Sequence, residues 1–186
     1  MNKRDNLDVN FSLKGNASIQ IGIYFLLAVY LIKTFLDGFL IDDNPAGMLS
    51  AEILEFLLIG ITFLTFLLSG LALFFKGKRS AKKFEYQLFN SKTKKNFWLF
   101  LLSFVGIFIL LIALKNLGYI NFITPSFLFL YGLLTFLNKN KERKGLLILS
   151  GVSFLLGIIC ILIPGYWSSS LYILGIAHIT YGFAVR

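Results

Sequence analysis

Four ionisable side chains stand inside apolar stretches of this sequence, where a charge needs a reason to be: Lys33, Asp37, Glu55 and His178. On insertion scales a charged residue at the centre of a membrane helix costs about 2.5–3.5 kcal/mol. Lys33 and Asp37 are four residues apart and so share one face of a helix. Glu55 falls at a similar depth in the next apolar segment. Together the three form a candidate intramembrane polar cluster that would bind a cation, a proton or an anionic head group. The same spacing equally suits a local ion pair, or side chains that snorkel to the nearby outer interface.

His178 is the single histidine, and imidazole is the side chain whose charge changes near neutral pH. A carboxylate beside it would give it a proton-linked role; hydrogen bonds across helices would give it a packing role. Gly175, His178 and Gly182 form one stripe on the last apolar segment, and Ser150, Ser153 and Gly157 form another on the segment before. Small residues let helices approach, and polar ones bond across the gap. These two stripes are therefore expected to face each other, with His178 near the depth of Ser153 and inside the bundle rather than against lipid.

No other constellation carries chemistry. One histidine, one cysteine and scattered serines do not supply a nucleophile, a base and oxyanion donors at one depth, nor a cluster of metal ligands. No catalytic residue, metal or cofactor is expected. Cys160, alone in an apolar run, has no partner for an intrachain disulfide.

The elements that position these residues follow from composition. Of 186 residues, 57% are hydrophobic and only 15% charged, with a mean hydropathy of +0.78. A helix needs about 20 apolar residues to cross about 30 Å of hydrocarbon, and several runs approach or exceed that. A membrane barrel would show short alternating segments instead, so helices are expected. The pattern predicts an all-α membrane protein of six transmembrane helices arranged as three hairpins, with both termini cytoplasmic.

The segments read as follows. A polar arm, 1–18, precedes span one at 19–41, which is too long for a signal-peptide core and is expected to stay as an uncleaved anchor. An acidic, turn-rich stretch from Asp42 to Gly47 follows, and Ser50 caps span two at 51–75, with Glu52 and Glu55 near its positive dipole end. The one long loop, 76–96, holds Lys76, Lys78, Arg79, Lys82, Lys83, Lys92, Lys94 and Lys95. Within it Phe84, Leu88 and Phe89 share a helical face, which suits a short interfacial helix on anionic lipid or against a partner; a solvated loop that only sets topology is the plainer alternative.

Span three, 97–114, starts with Trp98 at its interface and ends in a turn through Lys115, Asn116 and Gly118. Thr124 and Pro125 are expected to cap span four, which ends near Asn138. A basic link of Lys139, Lys141, Arg143 and Lys144 leads to span five at 145–163. Pro164 and Gly165 break the chain, Tyr166 and Trp167 anchor it, and Ser168 to Ser170 are candidate caps for span six, which runs to Arg186. On this layout every basic residue except Lys33 and Lys115 lies on one side. By the positive-inside rule that side is cytoplasmic. The net charge of +9 thus follows topology, and nucleic acid is not an expected partner.

The spans repeat. Gly70, Gly132 and Gly182 each precede a short apolar stretch that ends at a basic residue, and Tyr131-Gly132 recurs as Tyr181-Gly182. Internal repetition of a hairpin explains this, as does the abundance of glycine in membrane helices. Residues 145–186, through Gly151, Gly157, Pro164, Gly175 and Gly182, resemble the repeated hairpin of the HdeD-like bacterial membrane proteins. That resemblance implies a small inner-membrane protein of three hairpins associated with stress or acid resistance, with no catalytic residues to carry over.

The expected function is a non-enzymatic accessory or stress-related component of a bacterial cytoplasmic membrane. It would act through helix packing and its basic cytoplasmic loop, beside anionic head groups and in company with a membrane protein partner or further copies of itself. The alternative is a small transporter or channel for an ion, proton or small solute that uses Lys33, Asp37, Glu55 and His178, and it requires a polar cavity between spans one and two.

Overall fold

The structure, a computed structural model, describes residue 13 and residues 15–39, 49–83, 91–137 and 143–185. All regular structure among them is helical. In chain order the helices are α1 (Asn16–Phe39), α2 (Ala51–Lys83), α3 (Ser91–Asn116), α4 (Ile123–Leu137), α5 (Arg143–Leu162) and α6 (Trp167–Ala184), with single 3₁₀ turns at Ile120–Phe122 and Pro164–Tyr166. The N-terminal arm, the acidic stretch, Phe84, Leu88, Phe89, Lys139, Lys141 and Arg186 lie outside the described residues.

Local chemistry sets the start of α2 and the end of α3. The Ser50 hydroxyl accepts the Ile53 amide at 3.3 Å, and its carbonyl accepts the Leu54 amide at 3.0 Å, so two donors of the first turn of α2 are satisfied. At the end of α3, Gly118 takes the left-handed conformation with φ 80. Its amide bonds the Lys115 carbonyl at 3.0 Å, and the Tyr119 amide bonds the Leu114 carbonyl at 2.9 Å. This is the paired closure that a glycine at that position permits without a Cβ penalty.

Three boundaries differ from the sequence reading. The long loop is largely helix: α2 continues through Lys83 and α3 begins at Ser91. Lysine, arginine and alanine are good helix formers, and cations in the last turn of α2 complement its dipole. Thr124 stands inside α4 rather than ahead of it, because the turn at Ile120–Phe122 leads straight into the helix. Pro125 then occupies the first turn, where its missing amide costs nothing. Ser168 to Ser170 likewise lie inside α6, which starts from the turn at Pro164–Tyr166 without a side-chain cap.

Four helical segments are long and apolar enough to cross a membrane: Asn16–Phe39, Ala51–Lys83, Ile120–Leu137 and Gly145–Leu162. The apolar part of α3, Leu101–Asn116, is shorter. Helix α6 is not among the four, since its 18 residues include Ser168, Ser169, Ser170, His178 and Thr180. It sits between α1 and α5, and Ser170, Leu174, Gly175, His178, Tyr181 and Gly182 are all buried. Its buried polar side chains Ser170 and His178 are thus matched to protein neighbours rather than to lipid.

Consecutive helices pack on one another except α2 and α3, which meet through aromatic rings, and α6 closes back onto α1. The most extensive packing is between α1 and α6 and between α4 and α5, ahead of the contacts within α1–α2, α5–α6 and α3–α4. The α1–α6 pair is antiparallel, because Gly22 opposes Gly175 while Gly15 and Ile19 oppose Gly182. Here backbone meets backbone. A Cβ on Gly22 would fall 2.5 Å from the Gly175 carbonyl oxygen, and one on Gly182 would fall 2.8 Å from that of Gly15.

The consequence is measurable. Gly22→Ala forces that seam apart and is expected to cost about 1–3 kcal/mol, the range for overfilling a packed site. Gly60→Ala and Gly106→Ala, where a Cβ meets nothing within 4 Å, are expected to be neutral or stabilising by up to about 1 kcal/mol. Thermal unfolding in mild detergent separates the two groups; equal effects at all three positions would show that the seam is not close-packed.

Candidate functional site

The polar centre of the molecule is built from three helices. Ser18 comes from α1, Tyr131 from α4 and His178 from α6, and Ser18 and His178 are completely buried. The α1–α6 seam brings the first and last together. Ser18 stands between Gly15 and Gly22, and His178 between Gly175 and Gly182, at the same spacing on each helix. The glycines allow the close approach, and the polar residue between them bonds across it.

The hydrogen bonds fix where the protons are. The Ser18 hydroxyl donates to the His178 backbone carbonyl at 2.8 Å. Its single proton is thereby used, so in the 3.2 Å contact between Ser18 Oγ and His178 Nδ1 the ring nitrogen is the donor. A neutral imidazole protonated at Nδ1 has a bare Nε2, and that nitrogen accepts from the Tyr131 hydroxyl. The chain runs from Tyr131 through the ring to Ser18 and back to the backbone of α6. Each donor in it has an acceptor.

Aromatic rings enclose the chain. Phe25 stacks on the imidazole with centroids 5.9 Å apart and planes at 20°, and meets Tyr131 edge-on at 6.1 Å. Phe127 lies against Phe25 at 5.9 Å and Tyr131 at 5.8 Å. From Phe127 the series continues through Phe66 of α2 at 5.7 Å to Phe104 of α3 at 4.5 Å. Five of the six helices therefore meet through rings at the middle of the bundle.

This arrangement has a definite chemical polarity. A nucleophilic serine needs a base to take its proton, whereas here the imidazole donates to the serine and the hydroxyl proton goes to a carbonyl. The described carboxylates, Asp37, Glu52 and Glu55, are all exposed near helix ends rather than beside His178. Among the described residues no three of His, Cys, Asp and Glu are grouped to hold a metal ion.

Of the other candidates, Lys33 and Asp37 take the local ion pair that their spacing also allowed, and Glu55 stands apart from them. Lys33 pairs with Asp37 along α1 at 3.7 Å, both well exposed, while Glu55 pairs with Lys115 of α3. The three are not gathered into one cluster. The antiparallel run of α2 and α3 puts the last turn of α3 beside the first turns of α2, so Glu55 finds a cation there. Exposed pairs of this kind contribute about 0–1 kcal/mol.

Ser153 donates to its own helix at Leu149, 3.0 Å away, and its stripe packs on α4 rather than on His178. Ser150 donates to the Gly132 carbonyl at 2.8 Å, and a Cβ on Gly157 would meet Phe129 at 3.1 Å. The stripe of α6 is already filled by α1. Ser18, Gly22 and Tyr131 are the contributors that the sequence reading missed. The matched spacing of Gly15, Ser18 and Gly22 with Gly175, His178 and Gly182 was the available signal. Of the basic residues, Lys78, Arg79, Lys82, Lys83 and Lys94 are exposed and Lys76 is half-buried, while Lys92 and Lys95 fall in the first turns of α3.

Tyr131→Phe removes the donor to Nε2 and is expected to destabilise the protein by about 1 kcal/mol, the scale of interhelical hydrogen bonds measured in membrane proteins. A double-mutant cycle of Tyr131→Phe with His178→Phe checks it. A coupling of about 0.6–1.7 kcal/mol is expected, and none would mean that the bond is not formed. Nitrogen NMR of the labelled ring is expected to show the Nδ1-protonated tautomer. No protein-family model matches the chain, and neither a curated protein nor a solved structure does, so its packed polar centre and the layout of its charges carry the functional reading.

Proposed function

We propose that this chain is a non-enzymatic, six-span component of a bacterial cytoplasmic membrane, with an accessory or stress-related role exercised through helix packing and a basic cytoplasmic end. The observation that carries the reading is the closed Tyr131–His178–Ser18 chain. Its polar atoms are spent on one another and on the backbone, and rings fill the space around them. A transport site would keep donors or acceptors turned towards a passing solute. An enzyme would keep a nucleophile aimed at one.

The charge layout supports the topology. The first turn of α1 and the last of α6 lie at the same end, as six crossings require, and the cations of α2 stand where that helix arrives at this end. By the positive-inside rule this end is cytoplasmic. Exposed apolar side chains such as Phe56, Phe63 and Leu67 on α2 and Leu102 and Ile109 on α3 then face lipid or a membrane partner. The HdeD-like resemblance of the last hairpin agrees with a small inner-membrane protein of this kind.

Two measurements test this. Tags at both ends are expected to be labelled only from the cytoplasmic side of intact cells. Affinity isolation in mild detergent is expected to retain a stoichiometric membrane partner or a defined homo-oligomer. A lone protein whose reconstituted ion or proton flux falls when Lys33, Asp37 and Glu55 are neutralised would overturn the proposal in favour of a transporter.

A further inference from the structure

We infer that the C-terminal end of α2 is a binding site for the phosphate groups of anionic phospholipids. This deepens the functional reading above and rests on its topology. The helix does not stop where its apolar part ends at Phe74 and Phe75 but runs on to Lys83. Along this extension Gly77 and Ala81 are buried, continuing the buried face begun by Leu73. Lys78, Arg79, Lys82 and Lys83 are exposed. Positions i, i+1, i+4 and i+5 fall on one side of a helix. The back of the extension is therefore held by protein, and its front presents four cations.

Depth and charge identify the ligand. At about 1.5 Å per residue, the four cations stand about 5–12 Å beyond Phe75, at and just past the polar layer of the bilayer. Side chains four apart have Cβ atoms about 5–6 Å from each other, so Lys78 with Lys82, and Arg79 with Lys83, can each converge on one phosphate. Arg79 adds a planar fork that suits phosphate oxygens. Exposed Lys94, near the start of α3, adds a cation at the same end, whereas the described carboxylates Asp37, Glu52 and Glu55 flank the opposite end of α1 and α2. A flexible basic loop would set topology equally well. A helix anchored along its back does more, since its cations are ordered before the lipid arrives and less freedom is lost on binding.

The test is made on the full chain in nanodiscs containing equal phosphatidylglycerol and phosphatidylcholine. After extraction into mild detergent, native mass spectrometry counts the lipids that remain. The wild type is expected to retain phosphatidylglycerol preferentially. In the K78Q/R79Q/K82Q/K83Q variant the preference is expected to drop at least tenfold, on a scale of about fivefold per cation. K78R/K82R/K83R is expected to keep it, as is Lys33→Gln at the far end. If the quadruple variant does not fold, the pairs K78Q/K82Q and R79Q/K83Q give the same reading. Unchanged retention in the glutamine variants would overturn the site, as would a preference that survives about 1 M salt, where screening acts within about 3 Å. Labelling that places this end outside the cell while phosphatidylglycerol is still retained would sink the topology and leave the site standing.

Discussion

Everything in this molecule depends on how closely α1 and α6 approach. Their contact is made between backbones, with Gly22 against Gly175 and Gly15 against Gly182. Only at that separation can Ser18 bond both the ring and the carbonyl of His178. The seam joins the first helix to the last, so it closes the ring of helices and fixes the depth of the imidazole. Tyr131 can then reach the ring only if α4 lies at one rotation about its axis. A few glycines thus settle the placement of helices far apart in sequence.

The polarity of α6 makes sense in this light. A helix with a histidine, three serines and three more hydroxyl groups is a poor lipid-facing element, and its stability has to come from partners. Ser170 accepts a hydrogen bond from Cys160 of α5 at 3.1 Å, and His178 is held by α1 and α4. Helix α2 is the opposite case: apolar along most of its length and little buried. It has hydroxyls too, but Thr62, Thr65 and Ser69 each donate back to a carbonyl four residues earlier. A polar side chain that satisfies itself within its helix makes no demand on neighbours.

These differences decide what could be read in the sequence. Features written in local residues were legible: the cap at Ser50, the turn at Gly118, the break at Pro164 and the helical class itself. The extension of α2 was not, because a run rich in lysine reads equally as a solvated loop and as a helix end. The partners of small-residue stripes were not legible either. Stripes occur on α1, α4, α5 and α6, and any two are chemically able to pack. Gly132 faces Ser153 while Gly182 faces Gly15, yet both sit in the same Tyr-Gly pair. The Lys33–Asp37 pair was legible in its four-residue spacing, whereas the partner of Glu55 was not, because similar depth does not say which cation stands beside it, and that cation is Lys115.

The repetition acquires a physical meaning from the cyclic order. Each hairpin's second helix carries a glycine before its basic end, and each meets the first helix of the next hairpin: α2 with α3, α4 with α5, α6 with α1. At two of these seams the glycine is used, Gly132 against α5 and Gly182 against α1. At the third, a Cβ on Gly70 would meet nothing within 4 Å, and the helices are joined instead by Phe66 set edge-on to Phe104 at 4.5 Å and Phe108 at 6.4 Å. Rings hold helices farther apart than glycines do. The third seam is therefore the wide one, and both of its helices carry basic side chains beyond their apolar parts. The tight seams hold the polar centre shut, while the wide one lets α2 and α3 present their cationic ends to the surface.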